Sequence, residues 1–217
     1  MAEREILVVG LGRFGSALAR ELVELGYEVL GIDGDARIVQ RNSDTLTHVV
    51  QADSTDPEVL RQLGAGDFAV AVVGIGTDLE ASILTTAALA DAGVPSIWAK
   101  AITDPHARIL ERVGAHHVVF PESDMGRRVA HLVTGRMLDW FQLDEHFAMV
   151  ETEVPRDLVG RSLGEIGVRN AFNVTVVAVK PRGGAFTYAT ADTVLEEGDL
   201  VVVAGETKAV ERFADRT

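Results

Sequence analysis

The run Gly10-Leu11-Gly12-Arg13-Phe14-Gly15 stands directly after the apolar, β-branched stretch Ile6 to Val9 and opens an amphipathic segment. A G-x-G-x-x-G spacing carries meaning only in that strand-to-helix setting, which this chain provides. Without side chains at Gly10 and Gly12 the backbone can turn tightly and approach a diphosphate. The helix start offers free N–H groups and a partial positive charge. Gly15 allows the helix to sit close on the sheet. The same glycines would also make a plain turn, so the loop alone does not decide between a ligand site and a corner.

Asp33 shifts that balance. It ends the second β-branched run, roughly 20 residues beyond the glycine loop, where a carboxylate can accept hydrogen bonds from both ribose hydroxyls and would repel a 2′-phosphate. From Glu5 to Pro121 short β-branched runs alternate with amphipathic stretches, the pattern of a parallel sheet with crossover helices. The expected strands are Ile6–Val9, Glu28–Ile32, Thr47–Val50, Ala69–Val73, Ser96–Ala99 and His117–Phe120. Asp56-Pro57 and Asp104-Pro105 each set a capping carboxylate before a helix-starting proline, and Thr77 with Glu80 has capping-box spacing. Six such units predict an α/β, Rossmann-like doubly wound fold over residues 1–121, with its ligand beyond the carboxyl ends of the strands.

At that edge lie further candidates. Asp53-Ser54 follows the third strand and could face an adenine amino group or cap the next helix; because Asp56 already serves as cap, the adenine role is favoured. Val73-Gly74-Ile75-Gly76 closes the fourth strand, and its glycines could admit the ligand or form the turn. Arg13 could reach a terminal phosphate or be a solvated surface cation. Lys100 and Glu122 end the fifth and follow the sixth strand; Lys100 suits a phosphate, Glu122 a cation or a facing subunit, and either could be an ordinary surface charge.

After Pro121, Met125, Val129, Leu132, Val133, Met137 and Trp140 share one side of a helical wheel, which predicts one long linking helix from Ser123 to Phe141 within a 122–143 linker. Residues 144–217 change texture to short strands near Phe147–Val150, Val174–Val179 and Leu200–Ala204, with turns at Arg182-Gly183-Gly184 and Glu197-Gly198-Asp199. Ser162 and Glu165 again have capping-box spacing. This predicts a small α+β domain, marginal in size on its own and expected to dimerise.

Other chemistries fall away. The net charge of −13 is spread along the chain with no basic arm, which disfavours nucleic acid as a partner. No apolar run approaches the length of a membrane span, and Met1-Ala2-Glu3-Arg4-Glu5 lacks the basic start of a signal peptide, so a soluble cytoplasmic protein is expected. The absence of cysteine removes thiolate chemistry. The six histidines lack zinc spacing, and there is no Gly-Lys-Ser/Thr phosphate loop or G-x-S-x-G elbow. No proton donor or substrate domain accompanies the glycine loop. Binding without turnover is therefore the simplest account, with an NAD-dependent oxidoreductase or a nucleotide sensor acting on a non-transport partner as alternatives.

Taken together, the glycine loop, Asp33, Ile75-Gly76, Ser82-Ile83-Leu84-Thr85-Thr86, Ile97-Trp98-Ala99-Lys100-Ala101 and Pro121-Glu122-Ser123-Asp124-Met125-Gly126 resemble the RCK or KTN family of potassium-conductance regulators, in particular KtrA- and TrkA-like gating subunits. Val168-Arg169, Val174–Val179, Glu197 to Val202 and Arg212-Phe213 resemble its carboxyl-terminal subdomain, so the likeness spans nearly the whole chain. The resemblance implies ATP or ADP, or NAD(H), as a regulatory ligand in the glycine-loop cleft, held by Gly10, Gly12, Arg13, Phe14 and Gly15. It puts Asp33 on the ribose, Asp53 and Ser54 on the adenine side, Ile75, Gly76 and Lys100 along the cleft, and Glu122 near a magnesium or calcium ion at a subunit interface. It also implies homodimers assembling into an octameric ring beneath a KtrB- or TrkH-like membrane potassium pore subunit, at the inner face of the cell membrane. The helix after Pro121 would cross between protomers. Some members bind cyclic di-AMP in the carboxyl-terminal subdomain, which would correspond here to Arg169, Asn173, Val174 and Thr175.

Overall fold

The computed structural model describes residues 5–216; the opening Met1 to Arg4 discussed above lies outside them. The chain divides after Glu122 into two compact units. In the first, strands β1 (Glu5–Val9), β2 (Glu28–Asp33), β3 (His48–Gln51), β4 (Val70–Val73), β5 (Ser96–Lys100) and β6 (His117–Val119) form one parallel sheet in the order β3-β2-β1-β4-β5-β6. This is the doubly wound order, with its switch between β1 and β4. The strands read as continuous apolar runs because both faces are covered. Leu7, Val9, Ile32, Ala71, Val73, Ile97 and Ala99 enter one core; Ile6, Val8, Val29 and Val72 enter the other. Successive side chains alternate between faces, so the two cores interleave residue by residue along β1.

Helices α1 (Arg13–Glu24), α2 (Ala36–Asn42), α3 (Pro57–Gln62), α4 (Leu79–Asp91) and α5 (Asp104–Arg112) connect the strands. Asp56 caps α3 as expected, accepting from the Glu58 amide at 2.9 Å. Two expected caps are shifted by one residue. Asp78, and not Thr77, caps α4 by accepting from Ala81 N at 3.0 Å. Thr103 caps α5 by accepting from the amide of His106, so Asp104 is the first helical residue and not the cap.

The second unit begins within α6 (Pro121–Leu132), which is shorter than the sequence suggests. The expected helix to Phe141 stops at Leu132; the chain turns through Gly135, at φ +75°, and Asp139–Gln142 forms a strand, β7. Met137 and Trp140 are buried, but in a sheet core and not on a helical face. Arg128 anchors the turn: its guanidinium donates twice to the Asp139 carboxylate, at 2.8 and 2.6 Å, and holds that carboxyl below the usual range. His131 stacks on Trp140 at 4.1 Å.

Strands β8 (Phe147–Glu153), β9 (Val174–Lys180), β10 (Thr187–Tyr188) and β11 (Leu200–Glu206) complete an antiparallel sheet ordered β10-β9-β11-β8-β7. Short helices α7 (Leu163–Ile166) and α8 (Val168–Phe172) and the terminal α9 (Thr207–Ala214) accompany it. Ser162 and Glu165 form the expected capping box. Phe213 of α9 is buried with Val150, Val201 and Val203. The unit is thus a small α+β body. Among the described residues no helix is long and apolar enough to cross a membrane.

His106 at the start of α5 is 3% exposed, and burial pushes its imidazole below the ordinary histidine range. Above about pH 6.5 it is neutral folded or unfolded; below that, the unfolded chain takes up the proton first. Stability should therefore fall as pH drops from about 6.5 towards the lowered folded value. Urea midpoints compared at about pH 7.5 and about pH 5.5 are expected to show a smaller acid loss for His106→Asn than for the wild type.

Candidate functional site

The carboxyl edge of the parallel sheet opens into a cleft of about 830 Å³. Its floor is the glycine loop. Gly10 takes φ +87°, and its amide donates to Ile32 O at 2.8 Å, which ties the loop to β2. The loop is packed backbone to backbone. A Cβ on Gly15 would stand 1.9 Å from the Gly10 carbonyl oxygen, and one on Gly74 would stand 2.8 Å from the same atom. Gly15 thus performs the close approach expected of it, and Gly74 makes the matching approach from β4. Gly12 precedes α1 without any side-chain cap, and a Cβ there would meet nothing within 4 Å. The uncapped start of α1 leaves amides facing the cleft, as an anion site requires.

Asp33 reaches across from β2. One carboxylate oxygen accepts from Leu11 N at 2.7 Å and the other from Asp35 N at 2.9 Å. It therefore clamps the glycine loop as well as lining the cleft, and each oxygen keeps a second lone pair for a sugar hydroxyl. Asp53 is exposed on the same side, and the Thr55 hydroxyl and amide bind its Oδ1 at 2.7 and 3.0 Å, holding the carboxyl below the usual range. Ser54 lines the cleft, and its hydroxyl is paired with that of Thr85 of α4 at 2.9 Å. Sequence reasoning could not see this partner, because only the fold brings residues 54 and 85 together.

Arg13 and Phe14 stand at the helix start, Arg13 exposed and Phe14 half-buried. Lys100, at the end of β5, is almost wholly buried; its Nζ donates to Glu122 Oε1 at 2.5 Å and lies 5.9 Å from the Phe14 ring centre. The Lys100 ammonium holds the exposed Glu122 carboxyl below the usual carboxylate range, with Arg13 adding to the effect. Ile75 and Gly76 line the wall between. The cleft is thus acidic at the β2–β3 side, through Asp33 and Asp53, and bears Arg13 and Lys100 towards β5 and β6. Every first-unit candidate from the sequence lines this one cleft except Gly15, which lies beneath it. Thr77, Asp78, Gln51 and Ile38 line it too; sequence spacing gave no signal for them. Among the described residues no group of three His, Asp or Glu side chains is placed to hold a metal ion.

In the second unit a more open cleft of about 530 Å³ is lined by Leu163, Gly164, Gly167, Val168, Arg169 and Asn170, then Val174 to Val176 and Ala189 to Ala191. Arg169 Nε donates to Thr175 Oγ1 at 3.3 Å. Three of the four sequence candidates there, Arg169, Val174 and Thr175, line it. Asn173 does not; its φ of +58° serves instead to end α8.

Residues 6–121 match the model of the TrkA-N domain and residues 148–217 that of the TrkA-C domain. The chain is 36% identical over 215 residues to Ktr system potassium uptake protein C of Bacillus subtilis, covering 99% of this chain and 97% of the relative. It is 33% identical to Ktr system potassium uptake protein A of the same organism over 211 residues, 97% of this chain and 95% of that one. Among solved structures, the GsuK channel bound to NAD aligns with a TM-score of 0.65 at 19% identity, over 97% of this chain and 39% of the channel's; that likeness speaks to fold.

The packing makes one contrast measurable. Gly15→Ala forces a methyl group into the Gly10 carbonyl and should lower the unfolding free energy by about 3 kcal/mol or more. Gly12→Ala, with open space and an extended backbone at a negative φ of −63°, should stay within about 1 kcal/mol of the wild type. Urea denaturation of both variants checks the difference.

Proposed function

The chain belongs to the family of TrkA-N and TrkA-C domain proteins, and from that premise we propose that it is the regulatory subunit of a Ktr-type potassium uptake system. In this reading it binds an adenine nucleotide without turnover and uses it to gate a membrane potassium pore subunit, from the inner face of the membrane. The observation that carries the reading is the uncapped α1 start beside the Asp33 clamp, with Arg13 and Lys100 within the same cleft. A diphosphate would sit on the free amides, the ribose on Asp33, and a terminal phosphate against Arg13. Relatives at 36% and 33% identity, matched over nearly their full length and named as potassium uptake proteins, support the transport context.

ATP and ADP would share the cleft and differ by one phosphate, whose charge Arg13 and Glu122 would sense; NAD(H) would take the same adenosine half. Only a difference in affinity between two states of the assembly can shift their populations. A magnesium or calcium ion at Glu122 would take the remainder of its ligands from phosphate oxygens, since a single carboxylate does not build a site. Homodimers forming an octameric ring belong to the same proposal, as does the domain division at residues 121 and 143. The oxidoreductase alternative draws no support from the relatives, which are named as potassium uptake proteins.

The cleft beside Arg169 supports a second effector of cyclic dinucleotide type, such as cyclic di-AMP, with Arg169 facing phosphate and Thr175 holding the guanidinium in place.

Calorimetric titration with ATP and ADP tests the first site. Asp33→Ala should weaken both at least tenfold. Arg13→Ala should keep the fold, because Arg13 is exposed, and lower ATP affinity more than ADP affinity. Equal millimolar binding of every adenylate by the wild type would defeat the proposal. Arg169→Ala should abolish cyclic di-AMP binding and leave ATP binding intact, as read by the same titrations.

A further inference from the structure

Of the six histidines, His106 alone is buried. It stands in the first turn of α5 and turns its ring back on the loop that leads into the helix, where the Ile102 amide donates to Nδ1 at 3.4 Å. With Nδ1 an acceptor, the one proton of the neutral ring sits on Nε2. Nε2 is sealed from solvent and meets no hydrogen-bond partner among the described residues. A second proton would have to enter at Nδ1, where the Ile102 N–H already points, and would set donor against donor. Burial by itself makes the ring less basic; no charged side chain of β5, α4, β6 or α5, Lys100, Asp91, His117 and Asp104 among them, adds to the effect or offsets it.

The loop held in this way belongs to the wall of the cleft. It follows Lys100 directly, and Ile102 stands beside Gly76: a Cβ there would lie 3.5 Å from Ile102 Cγ2. Lys100 and Gly76 both line the cleft. Thr103 ends the loop and accepts from the His106 amide at 3.3 Å, so loop and helix start are tied by two bonds that both involve residue 106.

We propose that His106 is an acid-sensitive latch on this wall: neutral, it holds residues 101–103 closed by accepting the Ile102 amide, and on protonation it releases them, so that the cleft loosens its hold on a nucleotide. The consequence for nucleotide rests on the function proposed above; the latch itself does not. An open loop gives the ring to water, where histidine ordinarily titrates near pH 6.5. Opening is therefore equally costly at all pH values well above that. It becomes easier as pH falls through about 6.5, by up to about tenfold per pH unit, until the closed ring itself takes the proton.

Two measurements on the full chain test this. Hydrogen exchange, corrected for the intrinsic pH dependence of amide exchange, reads the opening of residues 101–106 in the wild type. Opening should rise about fivefold or more between about pH 7.5 and about pH 5.5. His106→Asn keeps an acceptor for the Ile102 amide and has nothing to titrate, so its change should stay within about twofold. Calorimetric titration with ATP should show affinity falling about threefold further in the wild type than in His106→Asn over the same interval. Protonation of ATP itself is common to both proteins and cancels. A wild-type loop whose opening is the same at both pH values overturns the latch, as does an equal rise in His106→Asn. A rise shared by residues 53–56 marks general acid loosening and overturns it too. Where the variant does not fold, NMR of the wild-type ring decides, since a His106 that titrates while the loop stays closed overturns the latch. A local rise with equal ATP losses in both proteins overturns the link to the cleft. A wild type that binds no ATP at about pH 7.5 removes the nucleotide reading, and the exchange result still decides the latch.

Discussion

At the heart of the first unit the Gly10 carbonyl is enclosed by two other glycines, Gly15 from α1 and Gly74 from β4. Three backbones meet there at distances no side chain could share. Asp33 then closes the assembly from the fourth direction by receiving the Leu11 amide. The helix start is thereby drawn down to the sheet edge with its amides pointing outward, and the cleft is what remains above. The nucleotide site proposed for the first unit depends on that approach: moved outward by one methyl group, the helix would no longer present its charge at the switch point of the sheet.

Much of this was legible in the amino-acid sequence, because the features involved are local. The succession of strands and helices follows from short β-branched runs that alternate with amphipathic stretches, and the glycine loop with Asp33 marks the edge at which the cleft opens. Asp56 and Ser162 announced their helices by side-chain chemistry that acts within three residues. Where two neighbouring residues compete for one cap, local reasoning lost: Asp78 outbids Thr77, and Thr103 outbids Asp104.

What was not legible depends on residues far apart in the chain. The apolar period that begins at Met125 continues through Met137 and Trp140, so pattern alone extends the helix. Gly135 and the Arg128–Asp139 pair instead turn the chain into a strand, and the same two apolar side chains are buried in another way. Gly76 was ambiguous for a similar reason. Its room is taken up by the tip of Lys100, a neighbour 24 positions on that only the pairing of β4 with β5 brings alongside. In the second unit, Asn173 was grouped with its neighbours by sequence proximity, yet its backbone ends a helix and its side chain does not face the cleft.

The buried bond between Ser54 and Thr85 has a mechanical meaning. The loop carrying Asp53 and the interior of α4 are joined by two hydroxyls that water cannot reach. Separating them would strand both, at about 1–3 kcal/mol for each group left without a partner. Loop and helix are therefore fastened to each other inside the first unit, one residue along α4 from the exposed Leu84.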